Sequence, residues 1–188
     1  MGKPKGLLDF KGEYWLLHQI NSFIGNDVFI GLGYDSEVYF NTIPWLKTAI
    51  EAPVNYKGKK VSVLINSQPE FGLFSNLQNL LKQVNKKQDI FVLPIDVPLL
   101  SEQEQAKIIA TNNLIVIPKF ENKKGHPVKL NALFWKSLLD IPIDNNEARL
   151  DVQIKKRNAS EITILNVSDA SSIKNLNTPK DWLEFIAL

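Results

Sequence analysis

Asp96 is the single acid at the end of an apolar run, Ile90-Phe91-Val92-Leu93-Pro94-Ile95, and it stands between Pro94 and Pro98. A run of this length, bounded by Lys86-Lys87-Gln88-Asp89 and by Ser101-Glu102, fits a strand buried on both faces. Open α/β sheets bind ligands at the carboxyl ends of such strands, and the flanking prolines restrict the backbone there, so Asp96 is the first functional candidate. A second candidate is the loop Asn66-Ser67-Gln68-Pro69-Glu70-Phe71-Gly72, which runs from a strand into a helix that Ser75 is expected to cap. A helix N-terminus presents free N–H groups and positive dipole, so this loop suits an anion. The two histidines are His18, on a helix with no partner in sight, and His126, in Gly125-His126-Pro127. The chain has no cysteine, which excludes disulfides, thiol catalysis and zinc sites built on Cys.

The elements that must position these residues follow from periodicity. Leu16, Leu17, Ile20 and Phe23 predict a helix over 14–23, and Val28 to Gly33 predicts a short buried strand. Pro44 opens an expected helix over 44–51 inside an otherwise irregular stretch from Glu37 to Lys60. Strands are expected at 60–66, 90–95, 113–118 and 161–167. Between them Leu77, Leu80, Leu81 and Val84 form one helical stripe, and a helix over 101–111 has Ser101 as cap with Glu104 completing a capping box. Helices are also expected at 131–139 and 145–156. A closing helix begins at Thr178, with Pro179 in its first position and Asp181 in its first turn. This β-α alternation predicts a single α/β domain over 1–188, a mainly parallel sheet covered by helices on both faces.

Composition narrows the function classes. Twenty-two Lys plus Arg against 20 Asp plus Glu give a formal charge of +2, too near balance for a nucleic-acid surface. The lysine clusters lie between apolar segments and read as solvated loops and helix faces. No apolar run reaches the length of a membrane span, and Met1-Gly2-Lys3-Pro4-Lys5-Gly6 lacks the apolar segment of a signal peptide, so a cytoplasmic protein is expected. Gly6 stands where a myristoylation motif wants Ser or Thr, and Gly31-Leu32-Gly33 lacks the third glycine of a dinucleotide fingerprint.

Five stretches, in this order, resemble the MobA-like nucleotidyltransferases, a family with members that attach GMP or CMP to molybdopterin. Met1-Gly2-Lys3-Pro4-Lys5 with Leu7-Leu8 is similar to the end of the family's glycine-rich signature loop, with Lys5 as its lysine. Asn66, Gly72 and Ser75 resemble its nucleotide-facing segment, and Pro94-Ile95-Asp96-Val97-Pro98-Leu99 its metal-aspartate motif. Gly125-His126-Pro127-Val128 and Asn175-Leu176-Asn177-Thr178-Pro179-Lys180-Asp181 resemble two later signatures. The resemblance implies a three-layer α/β/α, Rossmann-like fold of the nucleotide-diphospho-sugar transferase type. It implies Lys5 and Asp96 as catalytic residues, Gly2, Lys5, Asn66, Gly72 and Ser75 on the nucleotide, and His126 and Asn177 on the acceptor. Mg²⁺ would be held by Asp96 and Asn177, in keeping with the one or two carboxylates such sites use. The implied partners are a nucleoside triphosphate, CTP or GTP, and a small phosphorylated acceptor, in a monomer or weak homo-oligomer that binds neither nucleic acid nor membrane.

One departure matters. The family's signature begins with a β-strand and a Leu-Ala-Gly-Gly-like loop ahead of the Met-Gly, and this sequence starts at that Met. The sheet is therefore expected to lack a central parallel strand, through a start assigned too far downstream or through degeneration into a binding module. A sugar-nucleotide glycosyltransferase is disfavoured, because Pro94 occupies the first position of the Asp-x-Asp pair those enzymes commonly use.

Overall fold

Lys5–Leu7 forms one 3-10 turn, and the computed structural model, which describes residues 2–187, then makes a small hairpin from β1 (Asp9–Phe10) and β2 (Glu13–Tyr14). Lys11 and Gly12 both take positive φ at its tip, the requirement of a tight two-residue hairpin turn. In chain order there follow α1 (Trp15–Ser22), β3 (Asp27–Leu32), α2 (Ser36–Thr42), α3 (Trp45–Glu51), β4 (Val54–Tyr56), β5 (Lys59–Ile65) and α4 (Gly72–Leu81). The second half contains β6 (Ile90–Val92), α5 (Glu102–Ala110), β7 (Ile115–Phe120), β8 (Lys123–Lys124), β9 (Val128–Leu130), α6 (Ala132–Ser137), α7 (Leu150–Lys155), β10 (Ile162–Asn166) and α8 (Pro179–Ile186).

The strands form a three-stranded sheet in the order β3-β5-β4 and a larger sheet in the order β10-β7-β9-β6, with β8 paired to β7. The two longest ladders, β3 with β5 and β7 with β10, are parallel, while β4, β6, β8 and β9 pair antiparallel. The sheets are thus mixed within the expected α/β layering. Alternation along β7 displays the layers: Ile115 and Ile117 join the core under α4 and α6, whereas Val116 joins Ile108 of α5 on the opposite face. Leu16 and Ile20 of α1, with Tyr39, Leu46 and Ala49, cover Ile30, Val61 and Val63.

β3 and β6 are the terminal strands of the two sheets, and each has one side turned away from its partner strand. Lys60 N donates to Asn26 O and Asn66 N to Leu32 O, so the backbone groups of Phe29 and Gly31 face away from β5. Asn131 N donates to Leu114 O, so Leu130 and Val128 face β6, and Phe91 and Leu93 turn their backbone groups away from β9. Among the described residues the amides of Phe29, Gly31, Phe91 and Leu93 have no hydrogen-bond partner. Helix α4 packs across both sheets, since Asn76 donates to Gly31 O at 3.2 Å while Phe74 and Leu81 join the core of the larger sheet. Helix α1, which covers the smaller sheet, also grips the loop after β6: Gln19 donates to Val97 O at 2.7 Å and accepts from Leu99 N at 3.0 Å. Residues 90–96 are therefore half-buried rather than buried on both faces, because β6 is a sheet edge.

Several local expectations are corrected. Ser75 is not a cap: α4 begins at Gly72, and the Ser75 hydroxyl lies inside its first turn, donating back to Gly72 O. Ser101 makes no side-chain capping bond, and Glu104 accepts from Ser168 and Lys107 instead. The expected helix over 145–156 shortens to α7, because Asn145 directs residues 142–148 into turns and accepts from Glu147 N. The α2 segment, expected to be irregular, is a helix.

Candidate active site

The loop after β6 carries Asp96 to the carboxyl edge of the sheet, where three backbone restraints hold it. Trp15 Nε1 donates to Ile95 O at 2.7 Å, Val97 N donates to Pro94 O, and Leu176 N donates to Asp96 O at 2.8 Å. The last of these brings the 175–178 segment beside the acid. Its side chain meets a cation from the other end of the described chain: Lys5 Nζ lies 2.9 Å from Asp96 Oδ2 and 2.6 Å from Asn177 Oδ1. Both charged side chains are about a quarter exposed, 30% for Lys5 and 23% for Asp96.

Each partner is fixed by its own element. The 3-10 turn at Lys5 is pinned when Gly6 N donates to the buried Tyr39 hydroxyl at 3.2 Å. Burial raises the Tyr39 pKa, so the phenol stays protonated and keeps its oxygen available. Asn177 precedes α8, whose first turn is a capping box: Asp181 N donates to Thr178 Oγ1, and Thr178 N donates back to Asp181 Oδ2 at 2.7 Å. Asp181 Oδ2 also accepts from Asn177 N, which fixes the asparagine backbone. Hydrogen bonds from Thr178 hold the Asp181 carboxyl below the usual carboxylate range.

The remaining sequence-derived residues sit in two further groups. Asn66 and Ser75 are buried and bonded to each other, Asn66 Nδ2 to Ser75 Oγ at 3.0 Å, and Gln68 N donates to Asn66 Oδ1. They hold the shape of the loop rather than project from it. Gly72 takes φ 75° and ψ −158°, a conformation that essentially only glycine adopts. His126 N donates to Ser172 O at 2.8 Å, and its Nδ1 lies 3.4 Å from Val92 O at the start of the segment leading to Asp96. Burial lowers the His126 pKa, against smaller upward effects of the Val92 carbonyl and the Asp96 charge, so the ring is held neutral. Gly2 is exposed with φ 69°, and Met1, which opens the signature segment, lies outside the described residues. Trp15, Tyr39 and Leu176 were not legible as site residues. They act through one backbone bond each, which leaves no spacing signal.

The donor set fits a divalent cation in a limited way. Among the described residues no cluster of three or more His, Cys, Asp or Glu side chains exists that would hold a metal by itself. Asp96 Oδ2 and Asn177 Oδ1 nevertheless converge on one cation position, marked by the Lys5 ammonium. One carboxylate and one amide oxygen match a Mg²⁺-type ion that takes its remaining ligands from water and substrate phosphates.

A helix-covered sheet with these groups gathered beyond the carboxyl end of β6 is the layout of a Rossmann-like α/β domain. The chain belongs to the MobA-like NTP transferase domain family, whose model matches residues 1–157. Its fold is similar to that of Rv0371c from Mycobacterium tuberculosis H37Rv, at 15% identity over 100% of this chain and 92% of that one, TM-score 0.73. A manganese complex of Rv0371C from the same organism matches at 16% identity over 100% and 94% of the two chains, TM-score 0.71. The molybdopterin-guanine dinucleotide biosynthesis protein A of Archaeoglobus fulgidus matches at 14% identity over 97% and 89%, TM-score 0.64. Comparison with curated proteins found no match. No helix is long and apolar enough to cross a membrane among the described residues.

Proposed function

We propose that this protein is a Mg²⁺-dependent nucleotidyltransferase that moves a nucleoside monophosphate from CTP or GTP to a small phosphorylated acceptor, with a molybdopterin-type cofactor as the first acceptor to test. The observation that carries this reading is the convergence of Lys5, Asp96 and Asn177, from three separate segments, on one point at the sheet edge. Nucleotidyl transfer needs charge neutralised on the triphosphate, an acceptor oxygen held in line with the α-phosphorus and support for the departing pyrophosphate. Asp96 and Asn177 would hold the Mg²⁺, which when bound would neutralise phosphate charge. Lys5 supplies an ammonium for the phosphates. The 66–75 loop, shaped by the Asn66–Ser75 bond and by Gly72, faces the nucleotide, and Gly2 continues that wall. His126, neutral and half-buried, lies on the acceptor side, where it offers a hydrogen bond without adding charge. The protein acts as one cytoplasmic domain, monomeric or weakly self-associating, without nucleic acid or membrane.

The test is incorporation of label from an α-labelled NTP into the acceptor. The unaltered chain should transfer label, and Asp96→Ala should abolish transfer; full turnover by that variant would overturn the role of Asp96. A second reading, a binding module without turnover, is favoured by one observation, the open edges of β3 and β6 beside the site. Calorimetry with CTP, GTP and Mg²⁺ beside the label assay separates the two readings: nucleotide bound with label transferred argues for the enzyme, and nucleotide bound without transfer argues for the binding module.

A further inference from the structure

The Lys5 side chain does more than approach Asp96. Its ammonium sits between two oxygens at once, 2.9 Å from Asp96 Oδ2 and 2.6 Å from Asn177 Oδ1. Those are the two oxygens the functional reading assigns to a divalent cation, and an ammonium bonded to both stands in the way of a metal ion bound by both. We propose that Lys5 is a built-in placeholder: it occupies the metal position while no metal is bound, and metal binding displaces its ammonium toward the substrate phosphates. This inference rests on the assignment of Asp96 and Asn177 as metal ligands and adds to it an exchange between two cations.

Three features of the chain favour the exchange. A carboxylate only 23% exposed is costly to leave without a counter-charge, and Lys5 meets that need in the metal-free protein. The backbone under Lys5 is fixed by Leu8 N donating to Lys5 O and by Gly6 N donating to Tyr39, so only the side chain has to move. A lysine suits this role, because its four-carbon stem swings a compact charge, whereas the planar fork of an arginine would grip the carboxylate at two points. Metal arrival thereby does two things at once. It fills the oxygen pair and frees the ammonium for the anionic ligand that accompanies the metal.

The exchange is tested with Mn²⁺ as probe on the full chain, without nucleotide. Calorimetry should show Lys5→Met binding Mn²⁺ about two- to fivefold more tightly than the unaltered protein, the range set by removing a part-exposed ion-pair competitor. Lys3→Met, which removes a nearby charge outside the oxygen pair, should leave the affinity unchanged. Reductive methylation read by peptide mass spectrometry gives a second measure: Lys5 should react slowly in the metal-free protein and faster once Mn²⁺ is bound. Equal or weaker Mn²⁺ binding by Lys5→Met, or a Lys5 reactivity that does not rise with Mn²⁺, overturns the exchange. Asp96→Asn distinguishes the two layers. If it binds Mn²⁺ as the unaltered chain does, the ligand assignment itself fails; if it loses Mn²⁺ while Lys5→Met is unchanged, only the exchange fails.

Discussion

Two side chains near the site, the half-buried His126 and the buried Tyr39, respond to pH and to deletion in ways that can be measured. Burial holds the His126 pKa below its ordinary value near 6.5, so the folded protein keeps the ring neutral where the unfolded chain takes up a proton. The stabilisation is therefore complete above that ordinary value and is lost as pH falls from there through the lowered folded value. Urea midpoints should accordingly drop from pH 7 downward, and His126→Gln should flatten the part of the drop that begins near 6.5. An identical pH profile in the variant would show that other groups cause it. Tyr39 is the second case. Tyr39→Phe leaves the Gly6 N–H buried without an acceptor, a loss of about 1–3 kcal/mol in equilibrium unfolding. Asp96 was legible as a candidate from a single apolar run, whereas Tyr39 was not, because a phenol that bonds one distant amide looks in sequence like any core aromatic.

At the level of elements, sheet edges and one turn explain where sequence reading succeeded and where it failed. Strands β3, β5, β6, β7 and β10 were legible, since short apolar runs between polar segments mark them, whereas β4 and the inner strand β9, three residues each and interrupted by Asn55 and Lys129, were not. The degree of burial was not: an apolar run such as 90–95 looks the same in a central strand and in one with an open side. Helix α2 escaped because its apolar residues Val38, Tyr39 and Phe40 are contiguous, and only Tyr39 and Phe40 are buried. The Ser75 cap failed because a serine inside a first turn also finds a backbone acceptor, here Gly72 O. The open edges carry a direct test. In hydrogen exchange the amides of Phe29, Gly31, Phe91 and Leu93 should exchange markedly faster than those of Ile30 and Val92, which face their partner strands. Equal protection would mean that the edges are covered. Gly72 supplies a second test at this scale. A Cβ there meets nothing within 4 Å, so Gly72→Ala costs only backbone strain at φ 75°, on the order of 1–3 kcal/mol in urea unfolding.

Across the whole molecule, the site depends on an aromatic cluster that joins residues far apart in sequence. Phe10, Trp15, Trp182 and Phe185 pack together, with the Trp15 and Trp182 ring centroids 5.4 Å apart at 79°, and Leu176 is buried in the same cluster. Trp15 also holds Ile95 O, and Leu176 N holds Asp96 O, so this contact set positions two of the three segments that converge at the site, those of Asp96 and Asn177, while Tyr39 pins the third. The sequence showed α8 as an amphipathic closing helix, but not what its apolar face meets, because that face docks on the hairpin region and α1, more than 160 residues earlier by sequence. Trp182, 8% exposed, is the anchor, while its neighbour Leu183 is 61% exposed. Trp182→Ala should therefore cost about 3–5 kcal/mol in urea unfolding, and Leu183→Ala no more than about 0.5 kcal/mol. Undocking α8 also frees Lys174, whose ammonium lies over the Phe185 ring, so trypsin should cut after Lys174 faster in Trp182→Ala under native conditions, with Trp182→Phe between the two. Equal destabilisation by the two alanine variants, or no change in cleavage at Lys174, would show that the cluster does not hold the Asn177 segment against Asp96.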